Sequence, residues 1–165
     1  MQPSGRHAHG HDRVVAWGFV LVQLVLLAAV FLLPGGSDWS TPAWLSKGAR
    51  LLSLVGLVVL AIGLVNLGRS ATPLPTPVSN GELRSNGLYR YVRHPIYSGV
   101  IALAIGSAIP SGSIGIAAAA LALVVWFAIK ARWEEHRLSA RYPGYSAYAA
   151  RTPRFIPSWR GRPPG

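Results

Sequence analysis

The residues with the clearest chemical potential precede an apolar run near the middle of the chain. Arg93 and His94 stand directly before Pro95, within the segment Gly87–Gly99. Arginine and histidine donate hydrogen bonds to anions, and proline is favoured at the first position of a helix. The N–H groups at a helix start also attract negative charge. The pattern therefore predicts an anion-binding site at the N-terminus of a helix.

A second group of reactive side chains follows the last apolar run, where Glu134 and Glu135 are the only adjacent acids of the chain. Neighbouring residues of a helix point about 100° apart, so the two carboxylates are expected to serve different partners. One could face a ligand while the other pairs with Arg93 or with a basic residue of its own helix. Both could equally form exposed ion pairs along that helix. The residues alone leave these two interpretations equally open.

Aromatic and histidine patterns near the termini each have two interpretations. Tyr142, Tyr145 and Tyr148 recur every three residues and could line a pocket or form an aromatic belt at a membrane surface. The polar tail 1–13 carries histidines at alternate positions (His7, His9 and His11), which could hold a metal. We favour a solvated tail and predict no metal site. The chain has no cysteine, so thiolate ligands, disulfides and cysteine nucleophiles are excluded.

The elements that must position these residues are four apolar runs, at about 14–33, 51–67, 95–110 and 113–130. The first run contains no charge, and Gln23 is its only strongly polar residue; its length suits a transmembrane helix and exceeds that of a signal-peptide core. In the second, Gly56 and Gly63 share a helix face and allow close packing. The last two runs predict a helical hairpin. The fold class is therefore an all-α, polytopic membrane protein with about four transmembrane helices.

The distribution of charge predicts the topology of these spans. Of the 16 lysines and arginines, only Lys47 and Arg50 lie between the first two spans. The positive-inside rule then places both termini and the Arg93–His94 loop in the cytoplasm, whereas a three-span arrangement would divide the basic residues between the two sides. The net charge of +11 carries no nucleic-acid-binding signature, so we assign it to membrane orientation and predict no nucleic-acid partner.

The connecting segments differ in character. Residues 34–50 and the proline-rich stretch 68–93 are predicted to be loops, because prolines remove backbone donors and favour extended geometry before them. Residues 130–141 are predicted to continue the last span as a polar helix that ends at Tyr142-Pro143-Gly144. The domain organisation predicted is the tail 1–13 followed by one membrane-embedded domain, 14–165, whose cytoplasmic ligand-binding region combines 81–99 with 130–157.

The order of these motifs resembles that of the isoprenylcysteine carboxyl methyltransferase family, and more broadly the membrane methyltransferases that include the phospholipid N-methyltransferases. The resemblance covers roughly residues 81–157. It rests on four motifs separated by a helical hairpin: Gly87-Leu-Tyr89-x-x-x-Arg93-His94-Pro95-x-Tyr97-x-Gly99, Glu134-Glu135, Tyr145-x-x-Tyr148 and Arg151-x-Pro153.

The resemblance implies S-adenosylmethionine as cofactor, bound at the cytoplasmic face. His94 and the helix start at Pro95 would hold the cofactor's carboxylate, and Glu134 or Glu135 would accept hydrogen bonds from its amino group and ribose. An aromatic ring would lie beside the positive sulfur, and the resemblance offers Tyr89, Tyr97 or Tyr148. Gly99 would permit close approach of the cofactor or of a neighbouring backbone.

The resemblance also implies methyl transfer to a lipophilic or membrane-embedded acceptor. A carboxylate acceptor would be oriented by Arg93 or Arg151, whereas an amine or hydroxyl would need a glutamate such as Glu134 as base. Two other interpretations stay open: an NADPH-dependent enzyme similar to sterol reductases, and a non-catalytic membrane protein that binds anionic headgroups. The partners predicted are thus the bilayer and a lipophilic acceptor, whereas the oligomeric state is not predicted.

Overall fold

The computed structural model describes residues 5–67, 83 and 85–157, with side chains described for 14–66, 83 and 85–157. This part of the chain is helical and contains no β-strand, which confirms the all-α prediction there. Its helices are α1 (Gly5–Leu32), α2 (Ala43–Leu67), α3 (Pro95–Ala108), α4 (Ile114–Arg141) and α5 (Tyr145–Arg151), with 3₁₀ turns at Gly87–Arg90 and Ile109–Ser111. The proline-rich segment 68–82 and the histidine side chains of the tail lie outside the described residues.

Three helical segments are long and apolar enough to cross a membrane: Val14–Leu32, Ala43–Asn66 and Ile114–Arg141. The segment Pro95–Ser111 is apolar but shorter. Large apolar side chains such as Leu21, Leu57 and Leu121 are exposed on the outer faces of α1, α2 and α4. An apolar outer surface of this kind suits contact with lipid, so the chain is an integral membrane protein in its architecture.

Two helices begin earlier than the sequence predicted. α1 extends back to Gly5, so residues 5–13 of the predicted polar tail are helical. α2 begins at Ala43, which makes the predicted loop 34–50 eight residues shorter at its end. The predictions followed apolarity, which ends where charged residues begin. Charge does not end a helix, however, because Lys and Arg are good helix formers.

Close packing joins α2 and α3 through glycines, as the spacing of Gly56 and Gly63 predicted. The position of a Cβ at Gly56 would lie 2.6 Å from the carbonyl oxygen of Gly99, and one at Gly99 would lie 2.6 Å from the backbone nitrogen of Leu60. A Cβ at Gly106 of α3 would likewise lie 2.4 Å from the carbonyl oxygen of Ala49. Because glycine has no side chain, the two backbones approach closely. The pairing of Gly56 with Gly99 and of Gly106 with Ala49 shows that α3 runs antiparallel to α2.

A second helix pair is formed by α1 and α4. The Phe19 ring lies 5.1 Å from that of Trp126 and 5.3 Å from that of Trp133. The Trp126 indole also donates to the carbonyl oxygen of Phe19, at 3.3 Å. Between the two pairs lies the core, in which Leu123 and Phe127 of α4 pack with Ala104 and Val30.

At one end of the bundle, the α1–α2 connection is bonded to the turn between α3 and α4. Gly36 N–H donates to Ser111 at 2.9 Å, and Asp38 N–H donates to Gly112 at 2.8 Å. The Trp39 indole donates to the carbonyl oxygen of Ile109 at 3.0 Å. Gly112 has a φ of 62°, a left-handed conformation that favours glycine. These contacts leave the reactive residues at the opposite end.

That opposite end is built by a continuous α4. The helix passes from its apolar part into Glu134 and Glu135 without interruption and ends at Arg141, which confirms the predicted polar extension. Tyr142 leaves the helix, and α5 follows after Gly144. The extension thus carries both carboxylates beyond the apolar core, to the level where α3 begins.

Candidate active site

The site begins with a backbone connection between the start of α3 and the end of the described chain. Arg93 N–H donates to the carbonyl oxygen of Pro153 at 2.9 Å, and His94 N–H donates to that of Arg154 at 3.1 Å. The Ser98 hydroxyl donates to the carbonyl oxygen of Phe155 at 2.7 Å. Residues 153–155 therefore lie alongside the N-terminus of α3, where their side chains face those of Arg93 and His94.

Glu135 is the electrostatic centre of the site. Its carboxylate receives two hydrogen bonds from the Arg154 guanidinium, at 2.9 and 2.6 Å, in a bidentate arrangement. His94 Nε2 lies 3.0 Å from Oε1, and Arg93 Nε lies 3.5 Å from the same oxygen. The ion pair with Glu135 raises the pKa of Arg154 above its ordinary value. Glu135 thereby joins three segments of the chain.

Glu134 has a different set of neighbours, as expected for an adjacent position on a helix. The Tyr97 hydroxyl donates to its Oε1 at 2.5 Å. Its Oε2 lies 3.6 Å from His94 Nδ1. The imidazole of His94 therefore stands between the two carboxylates, with one ring nitrogen directed toward each. No arginine among the described residues forms an ion pair with Glu134.

The ring of Tyr97 is enclosed on both sides. It stacks on His94 with ring centroids 5.2 Å apart, and on Phe127 with centroids 4.5 Å apart. Pro95 is fully buried at the first position of α3. With its ring faces occupied, Tyr97 presents its hydroxyl to the site through Glu134, so the structure does not favour it as the aromatic neighbour of a ligand cation.

Three further tyrosines, Tyr89, Tyr145 and Tyr148, contact one another beside the site. The Tyr148 hydroxyl donates to the carbonyl oxygen of Tyr89 at 2.6 Å, and the rings of Tyr145 and Tyr148 meet edge to face at 5.9 Å. Burial raises the pKa of Tyr89 and the pKa of Tyr145 to about 12. Burial also raises the pKa of Tyr148. All three phenols therefore keep their protons at neutral pH, and Tyr148 donates its proton to the Tyr89 carbonyl oxygen.

Two buried polar atoms in the described part of the chain lack a hydrogen-bond partner, and both belong to this site. They are Arg93 Nε and the Tyr145 hydroxyl. The 3.5 Å between Arg93 Nε and Glu135 Oε1 is longer than a good hydrogen bond. A buried donor without a partner costs about 1–3 kcal/mol. The two groups also interact with each other, and both lie beside the carboxylate of Glu135.

The structure brings together most, but not all, of the residues that the sequence indicated. Tyr89, Arg93, His94, Pro95, Tyr97, Glu134, Glu135 and Tyr148 lie in or beside the site. Gly99 instead faces α2, where it serves helix packing. Arg151 is exposed on α5 and donates to the carbonyl oxygen of Ala147 at 3.2 Å. Neither residue contacts the carboxylate cluster.

Sequence reasoning missed several members of the site. Arg154 follows the Arg151-x-Pro153 motif. It is one of many basic residues in the C-terminal segment, and the sequence does not show which of them pairs with a glutamate. Ser98 lies inside a motif but was assigned no role, and Tyr145 was considered only as one of three tyrosines that could line a pocket. Lys130 precedes Glu134 by four residues, a spacing that places both on one face of α4 and could have drawn attention to it.

Two other features lie apart from this site. A cavity of about 480 Å³ opens at the opposite end, between the start of α2 and the hairpin, and its lining includes Leu45, Ile105, Leu121 and Val124. Its walls are almost entirely apolar.

Within the residues whose side chains are described, no group of three His, Asp or Glu side chains is arranged to hold a metal ion.

Comparison with known proteins assigns the family. The model of the phospholipid methyltransferase family matches residues 46–144, which is more than half of the chain. The chain therefore belongs to this family of membrane methyltransferases, in agreement with the resemblance seen in its motifs. The match includes α2, α3, α4 and both glutamates, whereas α1 and α5 lie outside it.

Individual relatives are similar over most of this chain. Protein-S-isoprenylcysteine O-methyltransferase B of Arabidopsis thaliana is 29% identical over 148 residues, which cover 86% of this chain and 73% of the plant protein. The nickel-cobalt-cadmium resistance protein NccN of Alcaligenes xylosoxydans xylosoxydans is 32% identical over 151 residues, which cover 88% of this chain and 64% of that protein.

The fold is also that of a solved structure. A eukaryotic intramembrane Ras methyltransferase, isoprenylcysteine carboxyl methyltransferase, superposes with a TM-score of 0.62 over 98% of this chain and 56% of its own, at 22% identity. This chain thus has the length of about half to three quarters of the proteins it resembles. The membrane fold is shared over the matched part of those proteins.

Proposed function

We propose that this chain is an S-adenosylmethionine-dependent methyltransferase that acts on a lipophilic acceptor at the cytoplasmic surface of the membrane. The family assignment supports methyl transfer over the reductase and non-catalytic interpretations. The observation that carries the proposal is the His94–Glu134–Glu135 cluster, together with the two donors beside it that lack partners.

The residues present fit both charged ends of this cofactor. Its carboxylate requires donors, and we assign this role to Arg93 Nε and the Tyr145 hydroxyl, which are buried and make no hydrogen bond of good geometry within the described part of the chain. Its amino group requires an acceptor. Glu135 is already bound by Arg154 and His94, whereas Glu134 forms no ion pair with arginine. We therefore assign Glu134 to the amino group, and Glu135 to the arrangement of the donors.

The chain's own residues then bind, orient and exclude water. When bound, S-adenosylmethionine supplies a methyl group on a positively charged sulfur. Arg93 is proposed to face the cofactor carboxylate with Nε and to orient an acidic acceptor with its remaining guanidinium nitrogens, whereas Glu134 would act as base if the acceptor is an amine or hydroxyl. Tyr89 and Tyr148, rather than the enclosed Tyr97, remain the candidates for an aromatic neighbour of the sulfonium. Arg151 has no role in this arrangement.

The acceptor is proposed to be lipophilic because the site adjoins membrane-spanning helices. The two relatives described above carry different names, an isoprenylcysteine methyltransferase and a metal-resistance protein, so their names do not define one acceptor. The carboxylate of a lipid-linked acid is our first candidate, since Arg93 and Arg154 supply positive charge at the membrane surface. Amines, hydroxyls and thiols of lipids are the alternatives.

We also propose four membrane spans with both termini and the site in the cytoplasm. Three helices have sufficient length, and α3 is the short one. Two observations support its crossing: α3 follows α2 antiparallel as far as Ala49, and the turn after it is bonded to the α1–α2 connection. The turn therefore lies at the same level as the end of α1. A short helix of this kind is accommodated by local thinning of the bilayer.

Cofactor binding by the full chain, purified in detergent, tests the proposal. Binding of S-adenosylmethionine and of NADPH would be measured by calorimetry for the parent protein and for His94→Ala and Glu135→Ala. We expect S-adenosylmethionine alone to bind, and both variants to lose at least about tenfold in affinity, since each removes a charged partner of the cluster. Gly48→Ala, at an open position of α2, is the control that should bind as the parent does.

Membranes containing the protein would then be incubated with methyl-labelled S-adenosylmethionine. A labelled lipid that is absent with Glu134→Gln would identify the acceptor class. Binding of NADPH instead of S-adenosylmethionine, or of neither compound, would overturn the proposed function. Unaltered affinity in both alanine variants would overturn the assignment of the site.

A further inference from the structure

Lys130 lies inside the helix bundle, where a charged side chain requires an explanation. The residue is only 2% exposed. Lysines near the end of a membrane helix usually extend their long side chains to the membrane surface, and Lys130 does not. Its Nζ instead donates to Oε1 of Gln23 on α1 at 2.7 Å, and lies 5.3 Å from the centre of the Tyr97 ring. Burying a charge is costly, and ionisable residues within membrane-spanning segments mark functional sites by default.

The position of Lys130 relates it to one particular carboxylate. It precedes Glu134 by four residues, so both project from one face of α4 at a separation along the axis of about 6 Å. Tyr97 connects them, because its hydroxyl donates to Glu134 while its ring centre lies 5.3 Å from Lys130 Nζ. Glu134 also interacts electrostatically with Lys130. The Lys130 amino group thus stands on the same face of α4 as Glu134, one helical turn further into the helix bundle.

Gln23 explains why the ammonium stays there. It is the only strongly polar residue in the apolar run 14–33, and it accepts from Lys130. Phe19, one turn earlier on α1, packs between Trp126 and Trp133 of α4 and holds the two helices in register. α1 lies outside the residues matched by the family model, and its contact with the site is made through this pair.

We propose that Lys130, held by Gln23, is a positioning residue that keeps Glu134 ionised and directed toward the cofactor-binding cluster. The inference rests on the proposed function for the ligand, but its electrostatic part concerns the protein alone. A carboxylate surrounded by apolar helices takes up a proton unless a nearby positive charge or donor favours its ionised form. Lys130 supplies that charge from within the bundle, while Tyr97 supplies the donor.

The groups that face Glu134 are known from every element packed against it in the described part of the chain. They are His94 before α3, Tyr97 on α3, Tyr89 in the 3₁₀ turn, and Lys130 and Glu135 on α4. His94 is shared with Glu135, from which it is separated by 3.0 Å. Lys130 is the cation whose position is set from α1, and this distinguishes its role from that of His94.

Infrared spectroscopy of the purified protein without ligand tests the electrostatic part. The band of a protonated buried carboxyl would be followed as the pH is lowered, in the parent and in Lys130→Met, Lys130→Arg and Gln23→Leu. In Lys130→Met we expect the band at a pH about one unit higher than in the parent, and its loss in the double variant Lys130→Met/Glu134→Gln. Lys130→Arg should follow the parent, because it restores the charge.

Stability and cofactor affinity complete the test. Replacing a buried charge by an apolar side chain of similar length is often neutral or stabilising, so Lys130→Met should melt at or above the parent temperature. Its affinity for S-adenosylmethionine should nevertheless fall about tenfold, with Lys130→Arg within about threefold of the parent. The affinity of Gln23→Leu for S-adenosylmethionine should lie between those of Lys130→Met and Lys130→Arg. Lys47→Met, which removes an exposed lysine at the opposite end, should match the parent.

The outcomes separate this inference from the proposed function. An unshifted carboxyl band in Lys130→Met overturns the inference, as does a Lys130→Met protein that is destabilised together with Lys130→Arg, because lysine would then serve packing. A shifted band in a parent protein that binds no S-adenosylmethionine would support the electrostatic role and overturn the proposed function alone.

Discussion

The adjacent glutamates show how neighbouring residues acquire separate tasks. Glu135 lies among Arg154, Arg93 and His94, and its carboxylate balances the charge of the two guanidinium groups. Glu134 points elsewhere on the helix and meets Tyr97 and one nitrogen of His94. At this scale, one carboxylate joins the basic residues of the site, while the other is the one that we propose for a ligand.

Exchanging each glutamate for glutamine should therefore have different consequences. Glu135→Gln leaves buried positive charges without a partner, and we expect it to lower the free energy of unfolding by about 3 kcal/mol. Glu134→Gln should lower it by about 1 kcal/mol or less, since the amide still accepts from Tyr97, while affinity for S-adenosylmethionine falls about tenfold. Denaturant titrations in detergent, combined with calorimetry, measure both. Equal losses of stability in the two variants would contradict the division of tasks.

Tyr145 and Tyr148 offer a matched pair of substitutions to phenylalanine. The Tyr148 hydroxyl donates to Tyr89, so Tyr148→Phe leaves a buried carbonyl without its donor and should lower the free energy of unfolding by about 1–3 kcal/mol. The Tyr145 hydroxyl makes no hydrogen bond of good geometry in the described part of the chain, so Tyr145→Phe should retain or slightly raise stability.

The same pair separates folding from binding. Tyr145→Phe should lower the affinity for S-adenosylmethionine by about five- to tenfold, because it removes a donor proposed to meet the cofactor carboxylate. Calorimetry on both variants measures this effect. Parent-like affinity in Tyr145→Phe would show that the unpaired hydroxyl serves no ligand.

At the scale of the elements, the α2–α3 crossing determines where the site begins. Gly56 and Gly99 place two backbones in contact, which fixes α3 against α2 and so fixes the height of Pro95 and His94. The polar extension of α4 then brings both glutamates to the same height. The site consequently depends on a packing contact that contains none of its reactive residues.

Gly56→Ala should disturb this contact, because a Cβ there would lie 2.6 Å from the Gly99 carbonyl oxygen and from the Leu103 nitrogen. Overpacking of this kind costs about 1–3 kcal/mol, and we expect a lower melting temperature together with weaker cofactor binding. Gly48→Ala on the same helix meets nothing within 4 Å and should gain up to about 1 kcal/mol. A Gly56→Ala protein as stable as Gly48→Ala would contradict the close crossing.

At the scale of the whole molecule, the arrangement relative to the membrane decides how an acceptor reaches the site. The polar cluster and the apolar cavity lie at opposite ends of the bundle, and the exposed faces of the long helices are apolar. A lipophilic acceptor would thus approach the cluster from the bilayer with its reactive group at the cytoplasmic surface. This arrangement requires the four-span topology that we propose.

The absence of native cysteines makes that topology directly testable by single-cysteine labelling. Ser37→Cys lies in the α1–α2 connection, whereas Ser85→Cys and Ser139→Cys lie near the site. In intact cells, an impermeant maleimide should label Ser37→Cys alone, and the other two should react only after the membrane is opened. Labelling of Ser85→Cys and Ser139→Cys from opposite sides would exclude a crossing by α3.

The amino-acid sequence by itself determined the helical class, the apolar segments, the polar extension of α4 and the family, because these depend on local periodicity and on the order of motifs. It also indicated the packing face of Gly56 and Gly63. Helix starts at Gly5 and Ala43 escaped it, since apolarity ends before the helix does. Only the tertiary structure paired Glu135 with Arg154, turned Gly99 toward α2, left Arg151 outside the site and directed Lys130 to Gln23. Such choices depend on which side chains meet across separate helices, and every glutamate in a basic chain has many partners of suitable charge until packing leaves it with a few.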